Sequence, residues 1–397
     1  MIRKISILVL SLALLGAVVS GCGSDGGEAT ASESEDGKYV VGLTTDATGP
    51  TAGLFSDARE GLQVFFEQLN AEGGIDGHEV ELVVEDNQAT PENAASQTRQ
   101  FVSDGAQVVV LSAPSVAIQA AVPEAADAGV PILTVEVPCV RELVREQVQP
   151  NLFCFGEGEA DGERVAEFIA DQDPGASVAG VSYDVPTSRA SIDATLNKGK
   201  ELGLEAGENV VVPLDLSDPG PYAARIAKAN PDYVVGYGTW EHTGGPILDE
   251  LRRRGWKGTY IFPGLSRVQG YTEDLKDPDF VTYAWDTFKV DSNAELDRLI
   301  AAAEEYGSGD VDPGSMVYGW QAGLIIAQAL ADCGFPCKQK DMASVFEQVE
   351  VDTNGLTGAP ITFAPDRHAP ILPVKFYRWN PQSKGIEAIT DWVGGEQ

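Results

Sequence analysis

Positive charge is what this chain has least of. Its 397 residues carry 27 Lys and Arg against 61 Asp and Glu, a formal net charge of −34. So acidic a surface argues against nucleic acid as a partner and against direct adhesion to anionic lipid. Histidine is scarcer still, with His78, His242 and His368 scattered along the chain and in no metal-ligand spacing. G-x-S-x-G elbows, H-E-x-x-H pairs and phosphate-binding loops are absent. The run GEGEADG (Gly156 to Gly162) imitates a glycine-rich loop, but its spacing differs and Glu157, Glu159 and Asp161 would repel phosphate. These gaps point to a binding protein with no enzymatic activity, no cofactor and no metal. Beyond Val19 no apolar run is long enough for a transmembrane helix.

What apolar run there is opens the chain. Arg3 and Lys4 precede an almost unbroken hydrocarbon stretch from Ile5 to Val19, followed by Ser20 and Gly21. That is the order of a secretory signal, and it is short for a bilayer span. Val19-Ser20-Gly21-Cys22 resembles a bacterial lipobox, in which cleavage leaves the cysteine as the lipid-modified first residue. Residues 1–21 are therefore expected to be a lipoprotein signal peptide and Cys22 the point of lipid attachment. Residues 22–37 are small and acidic, bury too little apolar surface to fold, and are expected to form a flexible tether. The expected location is extracytoplasmic, on the outer face of the bacterial cell membrane.

Cysteine is also sparse, with five in the chain. Once Cys22 is set aside, Cys139, Cys154, Cys333 and Cys337 remain as two local pairs, which in an exported protein read as two disulfides. No histidine or third cysteine lies near the CGFPC pair to make a metal site of it.

From Lys38 onward one rhythm repeats. KYVVGLTT is a strand, and Ala58, Leu62, Phe65, Phe66 and Leu69 recur at helical spacing until Gly73-Gly74 stops them. HEVELVVED, a helix from Pro91, QVVVL, a helix from Ser115 and VPILTV continue it. After Phe155 the same alternation resumes through SVAGVSY, NVVVP, DYVVGY and TYIFP, with helices between. Two such runs imply an α/β fold of two lobes, each a parallel sheet with helices on both faces. Helices near Ala294 to Tyr306 and Ser315 to Ala331 and the β-rich LPVKFYRW end the chain and can return to both lobes. The basic RRRGWKG complements the end of a helix dipole rather than nucleic acid.

In such sheets ligands bind beyond the carboxyl ends of strands, beside helix N-termini. The rule nominates Thr45 to Phe55, Leu111 to Ser115 and Glu136 to Pro138 on one lobe. On the other it nominates Asp184 to Ser188, Gly238 to His242 and Pro263 to Ser266. These segments carry a resemblance: TGPTAG, NAEGGIDG, VVEDNQATPENA, AGVPILT and ANPDYVVGYG follow in order the motifs of the leucine/isoleucine/valine-binding proteins. Those are the extracytoplasmic receptors of branched-chain amino-acid-type ABC importers. The resemblance implies lobes joined by three crossovers, near Phe155, Trp285 and Leu372, that close on a small ligand. Lobe 1 is then 38–155 plus 286–372, and lobe 2 is 156–285 plus 373–397. It implies a monomer that binds a small molecule and serves ABC permease subunits. The other reading is a ligand-sensing adaptor that uses the same clamp to signal through a separate membrane partner.

Site residues carry over unevenly. By resemblance Ser115, with Ala113 and Pro114, holds the ligand's carboxylate at a helix start, and Leu54, beside Phe55, matches an aromatic position. Elsewhere the sequence departs: Glu136-Val137-Pro138 replaces a small-residue run, Ser188 a tyrosine, and Leu265 an acid that pairs with an α-amino group. No acid occurs from Gly258 to Tyr271, and an unpaired ammonium in a desolvated cleft is costly. Trp240, with Glu241 and His242 beside it, and Glu136 opposite suggest instead an aromatic plate and a carboxylate, fit for an amine, an amide or an aromatic compound. The anchor is open to direct test. Cells fed labelled palmitate should label the wild-type protein and leave Cys22→Ser unlabelled; a labelled variant contradicts the lipobox.

Overall fold

Val108–Ser112 (β3) is buried at every position, as a strand covered on both faces must be. Beside it run β1 (Tyr39–Thr45), β2 (Val80–Asp86), β4 (Ile132–Thr134) and β5 (Leu152–Phe153). All pair in parallel, in the order β2-β1-β3-β4-β5. The computed structural model describes residues 37–395 apart from 50, 146–148, 215, 265–271 and 286–292, and leaves out the side chains of Leu54, Glu241 and His242. The expected signal peptide, Cys22, the tether before Gly37 and Leu265 thus lie outside the described residues. All described residues belong to one compact unit. Among them no helix is long and apolar enough to cross a membrane.

Helix α1 (Ala52–Ala71) follows β1 and buries Phe55, Ala58, Leu62, Phe65 and Phe66. It ends where the spacing predicted. Gly73 and Gly74 turn to φ of 110° and 71°, and the Gly74 N–H donates to Leu69 O at 2.9 Å, the reversal that closes a helix C-terminus. Asn70 then clips the helix to β2, exchanging two 2.9 Å hydrogen bonds with the Val80 backbone. Helices α2 (Pro91–Ser103) and α3 (Ser115–Ala126) follow β2 and β3. A short helix, α4 (Arg141–Arg145), then lies inside the loop between Cys139 and Cys154. Those cysteines are paired at a Cα–Cα distance of 6.0 Å, and Cys333 and Cys337 at 5.6 Å.

Helix α5 (Gly158–Gln172) leads into the second sheet. Its buried Glu157 cap residue is held by Arg141 and Arg145 from α4. Four strands follow in alternation with helices: β6 (Ser177–Tyr183), α6 (Pro186–Glu201), β7 (Glu205–Val212), α7 (Gly220–Ala229), β8 (Tyr233–Tyr237), α8 (Gly245–Arg253) and β9 (Thr259–Pro263). A further strand, β10 (Phe280–Ala284), is buried throughout. It was not among the expected strands.

The chain then leaves this sheet for α9 (Ala294–Tyr306), α10 (Val317–Cys333), α11 (Gln339–Phe346) and a small ribbon of β11 (Glu350–Val351) and β12 (Ile361–Thr362). It returns as β13 (Lys375–Asn380) and β14 (Gly385–Ala388). The second sheet therefore has the order β14-β13-β10-β9-β8-β6-β7. It is parallel except at one edge, where β13 and β14 run antiparallel. Phe376 of β13 stacks on Phe168 of α5 with centroids 3.9 Å apart.

Helices α1 and α10 cross backbone to backbone. A β-carbon added at Gly319 would stand 1.9 Å from Ala58 O, and one at Gly61 2.1 Å from Met316 O. Next to Gly319, Trp320 is fully buried, donates to Glu295 Oε1 at 2.8 Å and meets Phe65 edge-on at 5.0 Å. Overpacking of a close-packed core costs typically 1–3 kcal/mol, and a backbone oxygen cannot turn aside as a side chain does. Gly319→Ala should therefore lower the unfolding free energy by about 3 kcal/mol in urea titration. An unchanged midpoint contradicts the close crossing.

Candidate functional site

Parallel pairing sends the carboxyl ends of both sheets toward one cleft of about 550 Å³. Its first rim is built by local hydrogen bonds. Asp46, fully buried after β1, accepts from the Gly49 N–H at 2.6 Å and from the Thr51 N–H and hydroxyl at 2.8 and 2.6 Å. Asp86 braces the same turn by accepting from the Ala47 N–H at 2.9 Å. Buried Asn87 donates to Thr44 Oγ1 at 3.0 Å and accepts from the Ala89 N–H at 2.9 Å. These bonds place Thr51, Phe55 and Ala89 on the cleft wall. Pro114, Ser115 and Val116 join them at the start of α3, where the Ala117 N–H already donates to Pro114 O at 2.8 Å. Ser115 Oγ is enclosed without a partner among the described residues.

After β4 the rim turns at Glu136, whose φ of 68° lies in the left-handed region. A non-glycine residue held there stores strain that the surrounding structure must impose, and such residues cluster at ligand clamps. Glu136, Val137 and Pro138 all line the cleft, and Glu136 is the charged residue among the described lining side chains.

The second rim is aromatic. Tyr183 ends β6 and shares a short hydrogen bond with Thr239. Tyr237 ends β8, Phe262 lies on β9, and Tyr283 lies on β10 just before Ala284 and Trp285. Trp240 opens a π-helical turn, Trp240–Gly244, of the kind common at functional sites. Its ring lies over Gly244, where a β-carbon would stand 2.7 Å from Trp240 Cε3, and meets Phe262 edge-on at 5.4 Å. The glycine pair of WEHTGG is what lets the indole fold back. From the other lobe Tyr318, near the start of α10, meets Trp285 edge-on at 5.9 Å.

Of the residues singled out from sequence, Phe55, Pro114, Ser115, Glu136, Val137, Pro138, Ser188 and Trp240 line this one cleft. Ala113 does not: it is buried behind the rim. Leu54 lies on α1, but its side chain, like those of Glu241 and His242, is outside the described set, as is Leu265. Ser188 is buried, and its hydroxyl is already engaged. It donates to Tyr237 O at 2.7 Å and accepts from the Tyr183 N–H at 2.9 Å, so it braces the rim. Sequence reading missed Tyr183, Tyr237, Tyr283, Trp285 and Tyr318 as site residues. The carboxyl-end rule reaches Tyr183 and Tyr237 if the nominated segments start inside their strands rather than after them; Tyr283 lies on β10, which was not an expected strand, so no segment was nominated there.

Beneath the aromatic wall lies an acid. Asp161 of α5 is buried and accepts from the Trp285 indole N–H at 2.9 Å and from Arg164 at 3.0 Å. Burial raises its pKa to about 6, and Glu157 and Glu159 add to the rise, while Arg164 and the indole oppose it. Burial thus outweighs the ion pair. Burial also holds the Tyr237 and Tyr283 phenols well above their usual range, with Asp161 adding to both. Both rings therefore stay neutral and present hydroxyl groups.

Comparison with known proteins gives concordant results. A family model described as periplasmic binding protein matches residues 38–385. The Leu/Ile/Val-binding protein homolog 1 of Brucella melitensis is 25% identical over 223 residues, covering 56% of this chain and 59% of that one. For the Leu/Ile/Val-binding protein of Escherichia coli the figures are 27% over 238 residues, 57% and 62%. The chain thus spans about three-fifths of the length of the curated relatives it matches. A branched-chain amino acid transporter substrate-binding protein from Streptococcus pneumoniae, in complex with isoleucine, has a similar fold (TM-score 0.75, 18% identity, 90% of this chain and 99% of that one). So does a Rhodopseudomonas palustris solute-binding protein in complex with 3,4-dihydroxy benzoic acid (TM-score 0.77, 18%, 91% and 99%).

The raised carboxyl has a definite pH signature. Folded Asp161 holds a proton between about pH 4 and 6 that its unfolded counterpart has lost. Its contribution to stability is therefore fully present near pH 4 and is lost as pH rises through 6. A shift of about two units corresponds to roughly 3 kcal/mol. The difference in unfolding free energy between wild type and Asp161→Asn should change in the wild type's favour by about that much from pH 7 to pH 4. A difference independent of pH contradicts the buried, ionised carboxyl.

Proposed function

The chain belongs to the periplasmic binding protein family, and on that premise we propose that it captures a small molecule with an aromatic body between its lobes and delivers it to an ABC importer. The observation that carries this reading is the cleft wall itself. Tyr183, Tyr237, Trp240, Phe262, Tyr283 and Trp285 from one side face Phe55 and Tyr318 from the other, the large flat surfaces that bury a ring well. The fold alone does not choose a cargo, since similar folds hold isoleucine in one protein and 3,4-dihydroxy benzoic acid in another. The departures from the leucine-type pocket favour an aromatic one. Glu136 stands where a small run is expected, Ser188 serves as a brace, and no acid from Gly258 to Tyr271 is present to pair an α-amino group.

On this reading the protein does no chemistry. Lobes divided near Phe155, Trp285 and Leu372 close on the ligand and reopen at the permease. A diacylated Cys22 and the acidic tether keep the monomer at the outer face of the membrane, within reach of the permease. Each buried methylene of the lipid contributes about 0.8 kcal/mol, so more than one chain makes a stable anchor.

A thermal-shift panel on the mature protein tests the cargo class. Leucine and isoleucine represent compact amino acids; methyl 4-hydroxybenzoate, 4-hydroxybenzoate and phenethylamine represent aromatic neutral, acidic and basic bodies. A ligand at 100 times its Kd adds about 2.7 kcal/mol to the folded state. At least one aromatic member should shift the midpoint while leucine and isoleucine do not. Stabilisation by leucine or isoleucine with none from the aromatic members contradicts the proposal.

A further inference from the structure

Large apolar side chains that remain exposed are few among the described residues: Val116, Leu202 and Leu214. Two of them stand at the mouth of the cleft. Val116, 41% exposed, is on the first turn of α3, beyond the five-stranded sheet; Leu214, 46% exposed, follows β7 of the seven-stranded sheet. They belong to opposite rims of one cavity, and half-exposed Val185, at the start of α6, lines the same opening. Water-facing apolar groups concentrated at a binding site mark a surface that something covers.

The size of the cavity bears on what covers it. About 550 Å³ falls within the 300–1,000 Å³ typical of pockets that enclose drug-sized ligands. A cleft of this size admits a ligand longer than a single ring. Among the lining residues Tyr183, Thr239 and Tyr283 are buried polar ones, while Val116 and Leu214 are exposed and apolar. We infer that Val116 and Leu214 form a second, apolar subsite at the cleft mouth, so that the ligand is an elongated molecule with an aromatic head held within and a hydrocarbon tail running out between the two lips. This rests on the aromatic reading of the cleft and adds length and polarity to it.

Calorimetric titration of the mature protein with methyl, ethyl, propyl and butyl 4-hydroxybenzoate separates the two ideas, because the head is constant and only the tail grows. Each methylene that enters an apolar subsite should tighten binding roughly fourfold. In the double variant Val116→Ser, Leu214→Ser the gain per methylene should collapse toward onefold. Both positions are exposed, so the variant is expected to fold, and an unchanged circular dichroism spectrum and melting midpoint verify this. A wild-type series with no gain along the tail overturns the subsite while leaving the aromatic head in place. So does a variant that weakens every ester by one common factor, which is the signature of lips that merely meet on closure. If no ester binds and leucine does, the aromatic reading fails, and the subsite with it.

Discussion

Asp161 sits where the chain's passages between its two sheets meet. The indole N–H it accepts belongs to Trp285, at the exit from β10. That ring lies beside Gly156, at the exit from the first sheet, where an added β-carbon would stand 3.7 Å away. The second donor, Arg164, packs against the returning C-terminal segment, within 2.8 Å of a β-carbon placed on Gly394. One buried carboxyl thereby ties together segments far apart in sequence and at the same time fixes the orientation of a ring on the cleft wall. A buried ion is costly unless its hydrogen bonds are kept. Any motion of the lobes must therefore either carry this cluster as a unit or disrupt it.

The cleft follows from a second constraint, the direction of strand pairing. In each sheet the parallel strands end on the same side, so every loop that follows a strand arrives at the same edge. Short polar side chains then fix the loops of the first sheet: Asp46, Asp86 and Asn87 use their carboxylates and amide on backbone groups of the rim. The loops of the second sheet are fixed by packing instead, with Trp240 folded over Gly244 against Phe262. A rigid, hydrogen-bonded rim thus faces an aromatic one.

Much of this was legible in the sequence because the helices are amphipathic and stop at glycine. The spacing of Ala58, Leu62, Phe65 and Phe66 and the Gly73-Gly74 stop mark α1 without ambiguity, and Ala294 to Tyr306 has the same ends in the fold as in the periodicity. The rim residues at the N-terminal ends of helices were equally visible. What escaped was anything decided by tertiary contact. A tyrosine ending a strand has the same local pattern whether it meets core or cleft, so Tyr183 and Tyr237 read as strand. Strand β10 was not read as a strand, so no rim segment was placed beside Tyr283. Tyr318 reaches the cleft from α10, distant in sequence from every strand end on the first rim. Asp161 read only as a charge hostile to phosphate, because its partner Trp285 lies 124 positions away.

A ligand held between the lobes should draw them together. Small-angle X-ray scattering of the mature protein, alone and saturated with the tightest aromatic ligand found, tests it directly. Closure predicts a smaller radius of gyration with ligand and a scattering profile that differs most in the inter-lobe distances. Saturable binding with an unchanged profile would mean that the ligand is held without lobe closure, and the clamp would have to be abandoned.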